Sequence, residues 1–342
     1  MDDRSLIEFA DRFPDYTVAV VGDIMLDRYI WGQATRISQE APVPVVQVDH
    51  TSEVPGGAAN VAANIAELGG HAVIFGVAGA DSDGERLTSL LAQRKIGVDG
   101  VVALDTRRTT VKTRIIGNRQ QIVRVDSEDT AAMREADRRA VGERLLAGLE
   151  DGLFQGIVFE DYAKGLLTPE MVQEIVDAAN RRSVFTILDP HPSHPFNVSG
   201  LRALTPNRAE AFGLVGQYFQ EGVLPLSEDT ALREVGRRIL RLWRVDLLLV
   251  TLGAHGMALF SPNREVVHIP TRAREVFDVS GAGDTVTASF ALASLAGASP
   301  WQAANLANHA AGIVVGKIGT APVAADELRQ NLTADGELGE EL

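Results

Sequence analysis

Five apolar runs, TVAVVGD (17–23), HAVIFGVAG (71–79), GIVFED (156–161), VFTILDP (184–190) and DLLLVTLG (246–253), recur along the 342-residue chain with helix-patterned segments between them. Runs without a polar face suit strands covered on both sides, and strands alternating with helices imply right-handed crossovers. The expectation is an α/β fold of three layers, α/β/α, with a mostly parallel sheet. NVAANIAELGG (60–70) shows the helical pattern: Val61, Ile65 and Leu68 share a face and Gly69 can cap the end. Residues 1–330 read as one domain, followed by a short acidic tail (331–342), since no Pro/Gly-rich linker or repeat divides the chain.

Two stretches break this rhythm. PVVQVDH (44–50) and TTVKTRIIGNRQQIVRVD (109–126) alternate apolar with polar residues, and Gly117-Asn118 is a hairpin turn signal. They read as a small β-sheet inserted discontinuously, from about 28–52 and 107–126, either as a lid over a cleft or as a dimerisation edge. The first dozen residues (Leu6, Phe9, Phe13) read as an amphipathic helix.

With 45% apolar and 23% charged residues the chain can bury a core unaided. It lacks cysteine, so disulfide and thiolate chemistry are excluded and a cytoplasmic location is expected. No run has the roughly 18 apolar residues of a membrane span, and MDDRSLIEFADRF is unlike a signal peptide. A net charge of −14 argues against non-specific nucleic-acid binding, so an anionic ligand needs a local basic cluster.

DVSGAGDT (278–285) carries the chemistry. The sequence after Gly283 reads as a helix, so Asp284 falls in its first turn and the amides of Gly281, Ala282 and Gly283 precede it as unpaired donors. Donors at a helix start suit a phosphate. A carboxylate beside them makes sense as a base for a hydroxyl, with the amides stabilising charge on a phosphoryl group in line with it. Taken alone, the tetrapeptide GAGD also fits an acidic residue that merely complements the helix dipole.

The full string resembles the C-terminal motif of the ribokinase-like, or PfkB-type, carbohydrate kinases, a likeness that extends over about 15–325. It implies an ATP- and Mg²⁺-dependent sugar kinase with Asp284 as catalytic base. PGGAANVAANIAELGG (55–70) resembles the family's N-terminal motif, which implies sugar contacts for Gly56, Gly57 and Asn60; a tight turn into a helix is the alternative. GVAGADSDGERL (76–87) matches a family stretch and is read as structural. TPNRAE (205–210) resembles the motif whose Asn and Glu, here Asn207 and Glu210, organise Mg²⁺ and phosphates through water; a capping pair is the alternative. VTLGAHGMALF (250–260) places Thr251, Gly253 and Gly256 at the carboxyl end of a strand, where open α/β sheets bind ligands. Asn308 falls where the family packs near adenine, and a core or surface position fits it equally.

Asp23 and Asp27, just after the first strand, suit acceptors for sugar hydroxyls. Glu160, ending the strand GIVFED, is grouped with them as substrate-binding. TRISQEAPVPVVQV (35–48), RQQIVRVD (119–126) and DYAKGLL (161–167) resemble the kinases of D-glycero-β-D-manno-heptose 7-phosphate, implying transfer to the anomeric hydroxyl. A phosphorylated acceptor calls for cations, and Lys112, Arg114, Arg119, Arg124 and Lys164 lie in or beside these segments, with Lys112, Arg124 and Lys164 taken as substrate-binding; charged edge strands are the alternative. The chain departs from that pattern at Gln39, usually Pro, and at His191, usually Lys, a change expected to weaken ATP affinity or shift donor preference. Heptose kinases fused to a nucleotidyltransferase continue past this sequence, so adenylylation is expected from a separate protein. The remaining expectations are a homodimer through the lid and no membrane partner; ribose, fructose and fructose 6-phosphate are the alternative acceptors, and a non-catalytic sugar- or nucleotide-binding regulator the alternative role.

Overall fold

The structure is a computed structural model describing residues 3–118, 120–129, 131–194, 198–222, 224–273 and 276–340, with side chains described from 5 to 334 of these. Its strands are β1 (Thr17–Gly22), β2 (Ile24–Ile37), β3 (Pro44–Gly57), β4 (His71–Gly79), β5 (Gly97–Leu104), β6 (Val111–Gly117), β7 (Gln120–Ser127), β8 (Gly156–Glu160), β9 (Phe185–Asp189), β10 (Ala203–Leu204), β11 (Leu247–Thr251), β12 (Met257–Phe260) and β13 (Val267–Ile269). The helices are α1 (Ile7–Ala10), α2 (Ala58–Glu67), α3 (Ser82–Gln93), α4 (Glu135–Glu150), α5 (Pro169–Arg181), α6 (Arg208–Leu214), α7 (Thr230–Trp243), α8 (Ala282–Leu295), α9 (Pro300–Val314) and α10 (Ala325–Glu340).

The apolar runs form the centre of one sheet of order β13-β12-β11-β10-β9-β8-β1-β4-β5, parallel from β11 to β5, with β12 and β13 antiparallel at one edge. The side chains of β1 show why these strands carry no polar face. Val18 and Val20 pack with α2, α8 and α9 on one side, and Ala19 and Val21 pack with α4, α5 and α7 on the other, all four fully buried. Two strands escape a periodicity reading: the interior β10 has only two residues, and the edge strand β5 contains Gly97 and Gly100.

A second sheet, order β3-β2-β6-β7, branches from the first where β1 ends at Gly22 and rejoins it where Gly57 leads into α2. Its pieces run over 24–57 and 111–127, somewhat longer at the first than the alternation suggests, because Ile24–Tyr29 on β2 is almost wholly buried and shows no polar face. β2 pairs antiparallel with β3 and parallel with β6, and β6 turns back into β7 through Asn118 at φ +53. Arg119 lies outside the described residues.

The N-terminal segment corrects one expectation: a short α1 sits between two 3₁₀ turns in place of a continuous amphipathic helix. Pro14 lacks the N–H a continuing helix needs, yet Leu6 and Phe13 still enter the core. No helix among the described residues is long and apolar enough to cross a membrane.

Candidate active site

Parallel strands present their carboxyl ends along one rim, where the acidic residues closing the apolar runs collect. Glu160 ends β8 and Asp189 ends β9, and the two strands are adjacent, with these residues in register. Asp284 enters from the first turn of α8, and one carboxylate oxygen from each of the three lies within 4.8 Å of the others. Glu160 is 2% exposed and Asp284 6%. Glu160 thus joins a carboxylate cluster with Asp189 and Asp284, whereas the sequence reading grouped it with the sugar-binding residues.

Crowded acids out of water favour their protonated forms. Burial and then the neighbouring carboxylates hold Glu160 well above the usual range, and burial with the charges of Glu210 and Asp284 does the same to Asp189. Asp284 is raised to about 6 by burial, opposed by hydrogen bonds from Asn60 and Tyr162. Asn60 Nδ2 donates to Asp284 Oδ2 at 2.6 Å and Tyr162 O–H to Oδ1 at 3.1 Å. Asn60 is itself braced: Asn64 Nδ2 donates to its carbonyl at 2.9 Å and Thr285 Oγ1 donates to Asn64 Oδ1 at 2.8 Å.

The N-terminus of α8 begins at Gly281, φ +79, a conformation that favours glycine. An added Cβ there would stand 2.6 Å from Thr320 Cγ2 and 2.9 Å from Asn60 Nδ2. The Ala282 N–H corrects the expectation of three unpaired amides, because it reaches Val279 O at 3.3 Å. Among the described residues the Gly283 N–H has no recorded acceptor, and around Gly283 only Asp189 Oδ2 comes within 4 Å of an added Cβ, at 3.9 Å.

Gly283 and Ala282 form one wall of a cleft of about 620 Å³ that also receives Asn207, Thr251, Gly253, Gly256 and Asn308. Asn207 and Glu210 are a reciprocal cap of α6: Asn207 Oδ1 accepts from the Glu210 N–H at 2.9 Å and Glu210 Oε2 from the Asn207 N–H at 2.7 Å. The cap and a place beside the acid cluster coexist, since the Glu210 charge reaches both Glu160 and Asp189. Asn308 donates to Pro270 O at 2.6 Å, tying α9 to the segment after β13.

On the other side of Asp284 the lid approaches. Gly56 lets Asp27 come close, an added Cβ falling 2.8 Å from its Oδ2, and Gly57 (φ +59) turns the chain into α2. Asp27 is buried and pairs with Arg114 at 2.7 Å, while Thr320 Oγ1 donates to its other oxygen at 3.3 Å. Asp23 Oδ2 accepts the backbone N–H groups of Tyr162 at 3.1 Å and Lys164 at 2.9 Å, so part of its acceptor capacity holds a loop. The cations read from the sequence have acidic partners: Lys112 lies 3.6 Å from Asp126, Arg124 grips Asp126 at 2.9 and 3.0 Å, and Lys164 meets Glu128 at 2.8 Å. His191 accepts from Ser193 Oγ or donates to it at 2.7 Å; burial and the nearby charges of His194 and Lys164 depress its pKa.

Sequence reasoning passed over Asp189, Tyr162 and Thr320 as site residues. Asp189 carried the same signal as Glu160, a carboxylate closing a buried parallel strand. Tyr162 lay inside the flagged segment DYAKGLL, from which only Lys164 was singled out, and Thr320 carried no signal, being an ordinary residue in a loop.

Residues 16–327 match the family model of the pfkB family carbohydrate kinases. The chain belongs to this family. It is accordingly an ATP-dependent sugar kinase with a ribokinase-like α/β fold. It is 44% identical over 93% of its length to the bifunctional protein HldE of Azotobacter vinelandii and 41% identical over 93% to that of Vibrio cholerae, spanning 64% of the length of each. Phosphofructokinase-2 from Escherichia coli, in complex with substrates and products, shares the fold at a TM-score of 0.75 and 20% identity over 93% of this chain and 98% of that one. The Arabidopsis thaliana ribokinase complexed with ribose and ATP matches at 0.68 and 20% identity over the same shares.

Proposed function

We propose that this pfkB-family kinase transfers the γ-phosphoryl group of ATP to the anomeric hydroxyl of D-glycero-β-D-manno-heptose 7-phosphate. The observation that carries the transfer step is the Asp284 carboxylate, anchored through both oxygens at the helix start whose Gly283 lines the cleft. Asp284 takes the hydroxyl proton, the sugar oxygen attacks the γ-phosphorus, and the bond from that phosphorus to the bridging oxygen breaks, the electron pair leaving with ADP. The Gly283 N–H, with that of Ala282 once released from Val279, stabilises charge on the transferring group. Asn207, Thr251, Gly253, Gly256 and Asn308 line the nucleotide side.

Three clustered carboxylates, with Glu160 Oε2 buried and without a hydrogen-bond partner among the described residues, fit a hard divalent cation. Mg²⁺ would be held by Glu160 and Asp189, with Glu210 and Asn207 reached through water, and when bound would offset charge on the ATP phosphates.

The choice of heptose 7-phosphate is supported by the three segments resembling such kinases and by the long similarity to HldE proteins. Asp23, Asp27, Gly56, Gly57 and Asn60 would surround the sugar, and Lys112, Arg124 and Lys164 would meet its phosphate by exchanging Asp126 and Glu128 for it. Those acidic partners favour a second reading, an unphosphorylated acceptor. A coupled ADP-release screen of heptose 7-phosphate against its dephosphorylated form, ribose, fructose and fructose 6-phosphate tests both. Preference for an unphosphorylated sugar would overturn the first. A cytoplasmic homodimer joined through the lid completes the proposal, supported by exposed Val48, Val123 and Val125 on β3 and β7.

A further inference from the structure

From the hydrogen bond between its phenol and Asp284, we infer that Tyr162 is a positioning residue for phosphoryl transfer, fixing the orientation of the base from the sugar-side loop. The inference rests on Asp284 being the base.

The loop 161–165 is built to place one ring. Asp23 Oδ2 takes the N–H of Tyr162 at 3.1 Å and of Lys164 at 2.9 Å, and Asp161 Oδ1 takes that of Ala163 at 2.8 Å. These anchors hold Ala163 at φ +54, a conformation a residue with a Cβ adopts only when its surroundings impose it. The loop, so constrained, carries the Tyr162 hydroxyl to 3.1 Å from Asp284 Oδ1, across 122 residues of sequence. Asn60 holds Oδ2 at 2.6 Å from the opposite side, on α2. With one arm alone the carboxylate turns about its Cβ–Cγ bond. With both arms its plane is set, and the remaining lone pairs present one direction to an acceptor hydroxyl. Asp23 gains a role as well, since the carboxylate that sequence reasoning gave to the sugar also fixes the loop that orients the base.

Tyr162→Phe deletes one hydroxyl and leaves the ring. The expected result, in the ADP-release assay with whichever acceptor the wild type uses, is a kcat lowered on the order of 10- to 100-fold, the scale of a misplaced reacting group, with KM for acceptor and ATP nearly unchanged. The change is then repeated in an Asp284→Asn background, where no base remains to be oriented and the second substitution should lower the residual rate no further. An unchanged kcat, a loss confined to KM, or the same fractional loss in both backgrounds would overturn the inference. Wild-type turnover by Asp284→Asn would instead remove the base assignment beneath it. Thermal melting of both single variants at the wild-type midpoint is expected; a lowered midpoint for Tyr162→Phe combined with equal losses in the two backgrounds assigns the tyrosine to folding and overturns the proposal.

Discussion

A methyl group at Gly283 should make this protein no less stable and nearly inactive. Its backbone is ordinary helix at the second position of α8, and the space an added Cβ would enter holds only Asp189 Oδ2, 3.9 Å away. Gly283→Ala therefore meets no clash in the free protein and removes glycine's excess backbone entropy from the unfolded chain, a gain of up to about 0.5–1 kcal/mol. In the proposed mechanism the same methyl stands in the path of the phosphoryl oxygen approaching the Gly283 N–H. Losing one such donor costs about 2.7–4 kcal/mol in the transition state, so kcat should fall by roughly 10²–10³. The assay is ADP release at saturating ATP and acceptor, beside a thermal melt. Gly281→Ala serves as the contrast: its positive φ and the 2.6 Å approach to Thr320 Cγ2 predict a loss of at least about 1–2 kcal/mol of stability. If Gly283→Ala turns over at nearly the wild-type rate, the amide does not face the reaction, and the placement of the phosphoryl group beside α8 fails.

Asp284→Asn should keep the fold and lower kcat by roughly 10²–10⁴, the worth of a positioned base, as read by single-turnover phosphoryl transfer. Activity should fall as pH drops through about 6, where Asp284 takes up its proton, and a kcat/KM profile measures this. Stability runs the opposite way: Asp161 and Asp284, both raised from 3.8 to about 6 chiefly by burial, hold protons in the folded state that the unfolded chain has released. Each contributes up to about 3 kcal/mol that is present below pH about 4 and lost as pH rises through about 6, so these groups make urea unfolding easier at pH 7 than at pH 5. Arg208→Ala should destabilise by about 3–5 kcal/mol in the same unfolding assay, because Arg208 pairs with buried Asp229 at 2.7 and 3.2 Å and binds the carbonyls of Gln220 and Glu221 beside the cleft.

The sequence alone determined whatever depends on neighbours along the chain. Apolar runs without a polar face required a sheet covered on both sides, the alternation at 109–126 required strands outside that buried sheet, although β7 is exposed along its whole length where half-exposure was expected, and GAGD before an apolar helix required donors beside a carboxylate. Each follows from local periodicity or local backbone geometry. Pro14, which breaks the expected first helix, was legible there too and was outweighed by the apolar spacing around it. Tertiary structure alone decided which groups meet. The strand order that sets β8 beside both β1 and β9 gathers Glu160 and Asp189 onto one rim and brings Tyr162 and Asn60 to opposite oxygens of Asp284 from 122 and 224 residues away. No spacing in the chain encodes such a meeting, because separations of that size reflect the path of the crossovers between strands. The same holds for charge at Lys164, whose partner Glu128 is supplied by folding, whereas Asp126 lies two residues from Arg124 on the same strand and was within reach of the sequence.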